Sequence, residues 1–285
     1  MMKGYMWVLL LAMTSMECVA DREAYLGIHY YETKDYKSAL REFLPLANGI
    51  DGGDALAQSY LGRMYLNGQG VPKNDSQAVD WFRKAAKQGD PGAMSYLGQM
   101  HYKGLIVEQD YSQAADFLRK AAAQGDAPAQ FLLGFMYEKG KGVPKNDNQA
   151  FGLYRKAAAQ GDALAQYYLG LMYYNEKGGV PRDYSQAAGL YRKAAEQGLP
   201  DAQFYLGVMY EHGEGVKKNL VLAHMLYNLA AVNGEKTAKD NRDGITSQLT
   251  PAQLNEAKEL ASKWVKGQPL PTITKTYPSS SPQEK

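Results

Sequence analysis

The sequence predicts an all-α protein, a right-handed α-solenoid of stacked helix-turn-helix repeats. Three recurrences indicate this fold. The string "KAAAQGD" occupies residues 120–126 and returns at residues 156–162, a spacing of 36 residues. A Leu-Gly pair returns at nearly the same spacing, and a glycine-containing turn such as "NGQGVPKND" follows it. A period of about 34 to 47 residues with two helical patterns per unit is typical of α-solenoids.

The first twenty residues predict an export signal. Residues 1–20, "MMKGYMWVLLLAMTSMECVA", place Lys3 before an apolar run of about a dozen residues. Cys18 and Ala20 supply the small side chains that a signal peptidase accepts before a cut ahead of Asp21. An uncleaved anchor is the alternative, although a membrane span takes roughly 20 apolar residues. We therefore expect export to the periplasm or secretion, with no stable membrane span after cleavage.

The composition argues against several classes of protein and site. The formal net charge of +2 over 285 residues lacks the concentrated basic face of nucleic-acid-binding proteins. Cys18 is the single cysteine of the sequence, and it lies in the predicted signal. The exported chain would therefore have no disulfide, thiol nucleophile or thiolate metal site. We expect packing to hold the fold together, with no cofactor and no metal.

Residues 24–49 predict an N-terminal cap for the solenoid. They keep the Leu26-Gly27 pair and Tyr30 but shorten the turn between the two helical patterns. In this respect the segment resembles a repeat of the tetratricopeptide type. A solenoid needs such terminal units because its end repeats have a neighbour on one side only.

Residues 55–234 predict five consecutive helical repeats. Alanine-rich stretches such as "FRKAAKQ" favour helix, and a glycine follows each second helix, where a residue with positive φ is favoured. The next residue can cap the following helix. The glycines are Gly89, Gly125, Gly161, Gly198 and Gly234, and the capping residues are Asp90, Asp126 and Asp162. The sequence "QGD" therefore predicts the end of one helix and the start of the next.

The second repeat departs from this pattern at two positions. In "KGLIVEQD", Ile106 replaces the second glycine of the turn, and His101 stands where the other repeats have tyrosine. We expect a slightly altered turn at Ile106 and a core-filling role for His101.

Residues 235–266 predict C-terminal capping helices. In "LTPAQLNEAKELASKW", Thr250 is placed as N-cap, Pro251 as the first helical residue and Gln253 as the partner in a capping box. Residues 267–285 contain too few apolar residues to fold, and they predict a flexible tail.

Across residues 55–234 these features together resemble the Sel-1-like repeat family, relatives of the tetratricopeptide repeat. The shared elements are the Ala…Leu-Gly-x-Met-Tyr helix, the Gly-x-Gly-Val turn and the Lys-Ala-Ala-x-x-Gly close. The resemblance implies a scaffold or adaptor that binds a protein or peptide in a concave groove and is not an enzyme. Some cysteine-rich members of the family have been linked to β-lactam chemistry. That activity does not carry over, because the exported chain has no cysteine and no Ser-x-x-Lys motif.

The candidate binding site is a stripe on the first helix of each repeat. Positions three before, one after and four after the Leu-Gly glycine vary between repeats, and their i, i+4, i+7 spacing places them on one face. By the resemblance, they correspond to the groove-lining positions of the tetratricopeptide family. The stripe is Ser59, Arg63, Leu66, Ser95, Gln99, Tyr102, Phe131, Phe135, Glu138, Tyr167, Leu171, Tyr174, Phe204, Val208 and Glu211.

The aromatic and aliphatic part of this stripe predicts the partner contacts. Its members are Phe131, Phe135, Tyr167, Leu171, Tyr174, Phe204 and Val208. Apolar patches at variable surface positions tend to mark interaction sites. The alternative is that these side chains pack between adjacent first helices, and the sequence leaves both open.

Catalytic residues are not predicted. The four histidines are scattered without the spacing of metal ligands. The carboxylates of Asp75, Asp110, Asp147 and Asp183 lie where turns and helix caps are expected, and Glu138 and Glu211 are the acidic members of the stripe. Two alternatives to an adaptor remain open, both acting on cell-wall material. One is a β-lactamase-like envelope enzyme, and the other is a polysaccharide-binding protein.

Overall fold

The computed structural model describes residues 16–49 and 52–272. These residues form fourteen helices and no strand, and the chain divides into two compact units, Met1–Asn146 and Asp147–Lys285. The first unit contains α1 Met16–Glu32, α2 Tyr36–Ala47, α3 Ala55–Asn67, α4 Asp75–Lys87, α5 Pro91–Lys103, α6 Tyr111–Ala123 and α7 Ala127–Lys139. The second contains α8 Asp147–Ala159, α9 Ala163–Tyr174, α10 Tyr184–Glu196, α11 Pro200–His212, α12 Leu220–Val232, α13 Ala238–Thr246 and α14 Pro251–Lys263.

Within each unit the helices stack in the order of the chain. In the first unit α3 packs on α4 and α5 on α6, and each second helix also contacts the next first helix. In the second unit α9 packs on α10 and α11 on α12, and α12 is covered by α13 and α14. The predicted fold class, an all-α solenoid of stacked helical repeats, is confirmed.

In five of the Leu-Gly pairs the glycine lets the second helix approach the first. A Cβ atom added to this glycine would lie less than 3.0 Å from a side chain of the second helix, a separation that real Cβ atoms essentially never show. The distances are 2.6 Å for Gly62 to Phe82, 2.6 Å for Gly98 to Leu118, 2.6 Å for Gly170 to Tyr191, 2.9 Å for Gly207 to Tyr227 and 2.5 Å for Gly27 to Phe43. These partner side chains are completely buried. The recurring glycine therefore sets the packing distance within the pair.

The predicted chemistry at the junction between repeats is confirmed. Gly89 has a φ of 94°, and the carboxylate of Asp90 accepts a hydrogen bond from the Ala93 backbone N–H at 2.6 Å. Asp126 and Asp162 cap α7 and α9 in the same way. One detail differs from the expectation at the second helices. Asp75 and Asp147 are the first residues of α4 and α8, and the cap of α4 is the Asn74 side chain.

The turn of the second repeat has the same backbone conformation at Ile106 as the equivalent turns of three other repeats. The predicted alteration of this turn is therefore wrong. Ile106 has a φ of 73°, and the glycines at the equivalent position have values of 73° at Gly70, 68° at Gly142 and 65° at Gly215. A β-branched side chain in the left-handed region is strained. The packing of the turn therefore imposes this conformation on a residue that disfavours it.

A buried glutamine of the first helix ties consecutive helix pairs together. The Gln58 side-chain amide donates to the Ala47 carbonyl at 3.0 Å. Three further first-helix glutamines donate in the same way to a carbonyl near the end of the preceding second helix, in the pairs Gln130–Ala122, Gln166–Ala158 and Gln203–Ala195. These bonds satisfy carbonyls that the end of a helix leaves without an intrahelical partner. In the second repeat the glutamine is replaced by Met94.

The segment that follows α14 packs against the second unit. The capping box formed by Thr250 and Gln253 at the start of α14 is present as predicted. The flexible tail was predicted to begin at Gly267, but Gly267 N–H donates to the Glu196 carbonyl at 2.7 Å. Leu270 is buried and its N–H donates to Glu196 Oε1 at 3.0 Å. The anchored chain therefore extends at least to Leu270, while the rest of the predicted tail beyond residue 272 lies outside the described residues.

Candidate functional site

In the first unit the stripe begins with polar side chains, and two of them do not reach the surface. Ser59 and Ser95 are buried, with 5% and 3% of their surface exposed. Arg63 is half-buried, and its guanidinium carbon lies 4.7 Å from the ring centroid of Tyr31 and 4.8 Å from that of Tyr60. The accessible part of the stripe is therefore narrower here than the sequence predicted.

Further along the first unit, Phe131 and Phe135 lie on the same face of α7. Their ring centroids are 6.4 Å apart, and the Phe135 ring meets Tyr102 of α5 edge-on at 6.4 Å. The Lys139 ammonium group lies 5.3 Å from the Phe135 centroid. Both phenylalanines are half-buried. The structure therefore brings these two predicted residues together with Tyr102 in one aromatic group.

In the second unit Tyr167 and Tyr174 of α9 belong to a larger aromatic group centred on Tyr205 of α11. The Tyr205 ring lies 5.8 Å from Tyr167, 6.3 Å from Tyr174 and 5.5 Å from the buried Tyr191. The Tyr174 hydroxyl donates to Glu214 Oε2 at 2.7 Å. Burial, followed by this bond to Glu214, raises the pKa of Tyr174 to about 12. These contacts link α9 to α11, as the packing alternative predicts for adjacent first helices.

The remaining predicted residues of the second unit are Leu171, Phe204 and Val208. All three are half-buried and pack against the buried core of this unit. The Phe204 ring lies 5.7 Å from that of Tyr227. Each of the seven predicted contact residues therefore combines packing with a partly accessible surface, and the binding role assigned to them stays a prediction.

The two acidic side chains of the stripe have structural partners. Glu138 is buried, with 8% of its surface exposed, and pairs with the Lys139 ammonium group at 3.0 Å. Glu211 accepts a hydrogen bond from the Tyr227 hydroxyl at 2.6 Å. Burial is the main cause of the raised pKa of Tyr227, and the hydrogen bond to Glu211 acts in the same direction.

The histidines occupy separate environments. His101 was expected to fill the core; it is half-buried and stacks on Phe117 at 5.9 Å, with the rings 11° from parallel, so it packs at the edge of the core. His224 is buried, and burial lowers its pKa to about 4. In the part of the chain that the structure describes, no group of three or more histidine, cysteine, aspartate or glutamate side chains could hold a metal ion. Across the same residues, no helix has the length and apolar character of a membrane span.

Sequence reasoning missed Tyr205, which organises the aromatic group of the second unit, and Tyr60, whose ring contacts Arg63. Tyr60 and Tyr205 stand two residues before the Leu-Gly glycine, a place that Tyr96 and Tyr168 also occupy in their repeats. This recurrence could have identified Tyr60 and Tyr205 as structural positions from the sequence alone. Glu214 and Tyr31 gave no such signal, because each meets its partner through the stacking of helices that are distant in sequence.

Comparison with known proteins identifies the family of the chain. The Sel1 repeat model matches residues 55–90, 91–126, 127–162, 163–199 and 200–234, which together make up more than half of the chain. The chain is similar to the crystal structure of a Sel1 repeat protein from Oxalobacter formigenes. The two share 30% sequence identity over 87% of this chain and 99% of that one, with a TM-score of 0.69.

A second solved structure, immunity protein Pa5087 from Pseudomonas aeruginosa, is similar in fold. It has 22% identity, a TM-score of 0.50, and coverage of 79% of this chain and 86% of that one. A search of curated proteins found no match. The resemblance inferred from the repeat motifs is confirmed: the chain belongs to the Sel1 repeat family, whose members are generally protein-interaction scaffolds with a fold that is typically non-enzymatic.

Proposed function

We propose that this protein is an exported scaffold without catalytic activity, which binds a protein or peptide partner along the stripe of its first helices. The partner-contacting residues in this proposal are Phe131, Phe135, Tyr167, Leu171, Tyr174, Phe204 and Val208. They lie on the face predicted to be concave.

The observation that carries this proposal is a difference in burial along single helices. On α9 the framework residues Leu169 and Met172 are buried, with 5% and 2% of their surface exposed. Tyr167, Leu171 and Tyr174 of the same helix keep part of their surface accessible. Aromatic side chains that are fixed by packing on one side lose little further conformational entropy on binding. Such residues are well suited to protein contacts.

The non-catalytic part of the proposal is supported by the acidic residues of the stripe. A catalytic acid or base must reach the proton that it transfers and have a pKa suited to that transfer. The Glu211 carboxylate is engaged by the Tyr227 hydroxyl, and the Glu138 carboxylate is engaged by Lys139. Both carboxylates therefore support packing in their own repeats.

The exported location is supported by residues 1–20, in which Lys3 precedes an apolar run that ends shortly before Asp21. Residues 1–15 lie outside the described residues, and α1 begins at Met16. Cleavage after Ala20 would therefore shorten α1 and leave the rest of the helix, through Glu32, in the mature chain. Mass spectrometry of the protein from the producing cells tests this directly, with an N-terminus at Asp21 as the expected result and retention of residues 1–20 as the contrary one.

Site-specific photo-crosslinking tests the binding face. A benzophenone amino acid would be placed at Leu171 or Val208 of the stripe, and at Gly189 of α10 as a matched control. Gly189 is exposed, and an added Cβ atom there would meet nothing within 4 Å. We expect one identified protein to crosslink from both stripe positions and not from the control.

Two results would overturn the proposal. Crosslinking of the same partner from Gly189 alone would place the contact on the second helices. Loss of the crosslink in the presence of cell-wall oligosaccharide, but not of partner-derived peptide, would instead favour the glycan-binding alternative.

A further inference from the structure

Arg63 of α3 is held on the accessible face of the first unit by two aromatic rings. Its guanidinium carbon lies 4.7 Å from the centroid of Tyr31, which belongs to α1, and 4.8 Å from that of Tyr60 on its own helix. The two rings meet edge-to-face at 5.0 Å. Because cation–π contacts engage the face of the guanidinium group, they leave its in-plane N–H donors for other partners, and the Tyr60 hydroxyl is one of these partners.

This arginine differs from others in the same unit because it has no acidic partner. Arg83 pairs with Asp80 at 3.8 Å, and Arg119 pairs with Asp116 at 2.7 Å. Among the described residues Arg63 forms no ion pair, and its Nε atom is buried without a hydrogen-bond partner. Arg63 is half-buried, so part of its charge is withdrawn from water without a counter-charge, which is costly.

The tyrosines around Arg63 are fixed and do not supply a counter-charge. The Tyr31 hydroxyl donates to Gln69 Oε1 at 2.8 Å, and the Gln69 amide donates to the Tyr36 hydroxyl at 3.0 Å. Burial raises the pKa of Tyr31 above its ordinary value, against the opposing effect of Arg63. Tyr31 is therefore neutral at physiological pH, and the positive charge of Arg63 is unbalanced.

We infer that Arg63 is a binding site for a carboxylate group of the protein partner. A planar guanidinium and a carboxylate match in a bidentate pair, and packing that fixes the guanidinium in advance lowers the entropic cost of forming that pair. The inference deepens the proposed function and rests on it in one respect, that the carboxylate belongs to a protein. Its source is either a chain terminus or an aspartate or glutamate side chain.

The test follows the Nε–H resonance of Arg63 by NMR in the full chain, with small carboxylates as probes. N-acetylglycine represents a chain terminus and N-acetylaspartate amide a side chain, and their neutral controls are N-acetylglycinamide and N-acetylasparagine amide. We expect saturable shifts with a Kd in the millimolar range for at least one carboxylate and for neither control. Added salt should weaken the binding.

Variants link the binding to this side chain. Arg63→Gln should abolish it, and Arg63→Lys should weaken it about tenfold because lysine lacks the planar fork. Arg83→Gln is the matched control on α4 and should leave it unchanged. The wild-type resonance itself still decides the outcome if an Arg63 variant fails to fold.

Three results would overturn the inference: equal shifts with carboxylates and neutral amides, no saturable shift at Arg63, or tighter binding of inorganic phosphate than of any carboxylate. Each of these leaves the crosslinking result on Leu171 and Val208 unaffected. Conversely, a failed crosslink with carboxylate binding at Arg63 would reject the proposed stripe contacts alone.

Discussion

Gln197 donates its side-chain amide to the Gln166 carboxamide oxygen at 3.0 Å, and the Gln166 amide donates in turn to the Ala158 carbonyl at 3.3 Å. The same Gln197 amide group also bonds the Gly161 carbonyl at 2.9 Å. The buried side chain of Gln166 thus connects the ends of α8 and α10, two successive second helices. Gln58 and Gln88 make the equivalent pair at 2.9 Å in the first unit.

We predict that Gln166→Leu destabilises the protein by about 1–3 kcal/mol, because it removes two hydrogen bonds of a buried side chain, one to the Ala158 carbonyl and one from the Gln197 amide. Urea unfolding followed by circular dichroism measures this change. Gln186→Leu on α10 is the matched control, since Gln186 is exposed, and it should change the stability by less than about 0.5 kcal/mol. Equal effects of the two substitutions would contradict the assigned role of Gln166.

The same substitution at two glycines of one helix pair should have opposite effects. Gly170→Ala places a Cβ atom 2.6 Å from the buried Tyr191 ring, and we expect a loss of about 1–3 kcal/mol in stability. Gly189→Ala meets nothing within 4 Å and removes a flexible residue from the interior of α10. It should stabilise the protein by about 0.5–1 kcal/mol. Thermal and urea unfolding of both variants measure the two signs, and a stabilising Gly170→Ala would refute the packing argument.

Ile106→Gly should stabilise the first unit by about 1 kcal/mol. Glycine removes the strain of a β-branched residue at a φ of 73°, and this gain exceeds the entropy that glycine adds to the unfolded chain. The comparison variant is Gly142→Ala, whose Cβ atom would lie 2.1 Å from the Tyr111 carbonyl oxygen. Its predicted effect is a marked loss of stability. Unfolding midpoints in urea distinguish these outcomes, and an unchanged midpoint for Ile106→Gly would show that the turn relieves the strain.

His224 should make the second unit sensitive to acid. Burial first, and then the positive charges of Arg242 and Lys258, lower its pKa from 6.5 to about 4, while Asp243 acts in the opposite direction. The folded state therefore favours the neutral imidazole. Its contribution is fully present above the unfolded pKa of 6.5 and is lost as the pH falls towards 4.

The loss from His224 should reach on the order of 2–3 kcal/mol by about pH 4.5. Urea unfolding of the wild type and of His224→Gln at pH 7 and at this acid pH measures it. Carboxylates that titrate in the same range affect both proteins, so the difference between the two pH dependences isolates His224. Parallel pH dependences would show that the imidazole is free to protonate in the folded state.

The sequence contained enough information for the helix ends and for the repeat itself, because these depend on local chemistry. Asp90 and Gly89 act within one turn of the residues they cap, and the Leu-Gly pairs recur at a fixed spacing. Gln166 recurs at its place in four repeats, but the recurrence does not reveal which carbonyl its side chain bonds, because that carbonyl belongs to the preceding helix pair. The burial of Leu270 depends likewise on α10, which is distant in sequence.

The candidate site was predictable in its positions but not in its exposure. The helical spacing places Tyr167 and Tyr174 on one face, and the structure puts them together around Tyr205. The burial of Ser59 and Ser95, in contrast, follows from helices that stack beside them. A pattern on one helix cannot reveal how far the next helix covers it.

The bonds from the second-helix glutamines to the preceding junction also bear on the ancestry of the chain. Gln124 bonds the Gly89 carbonyl and Gln197 the Gly161 carbonyl, partners that are 35 and 36 residues apart. In these copies the second-helix glutamine therefore bonds the same carbonyl of the junction one repeat earlier. A tandem duplication or deletion of one whole copy would join ends that already fit each other. Such a gene could lengthen or shorten by recombination without first evolving a new interface.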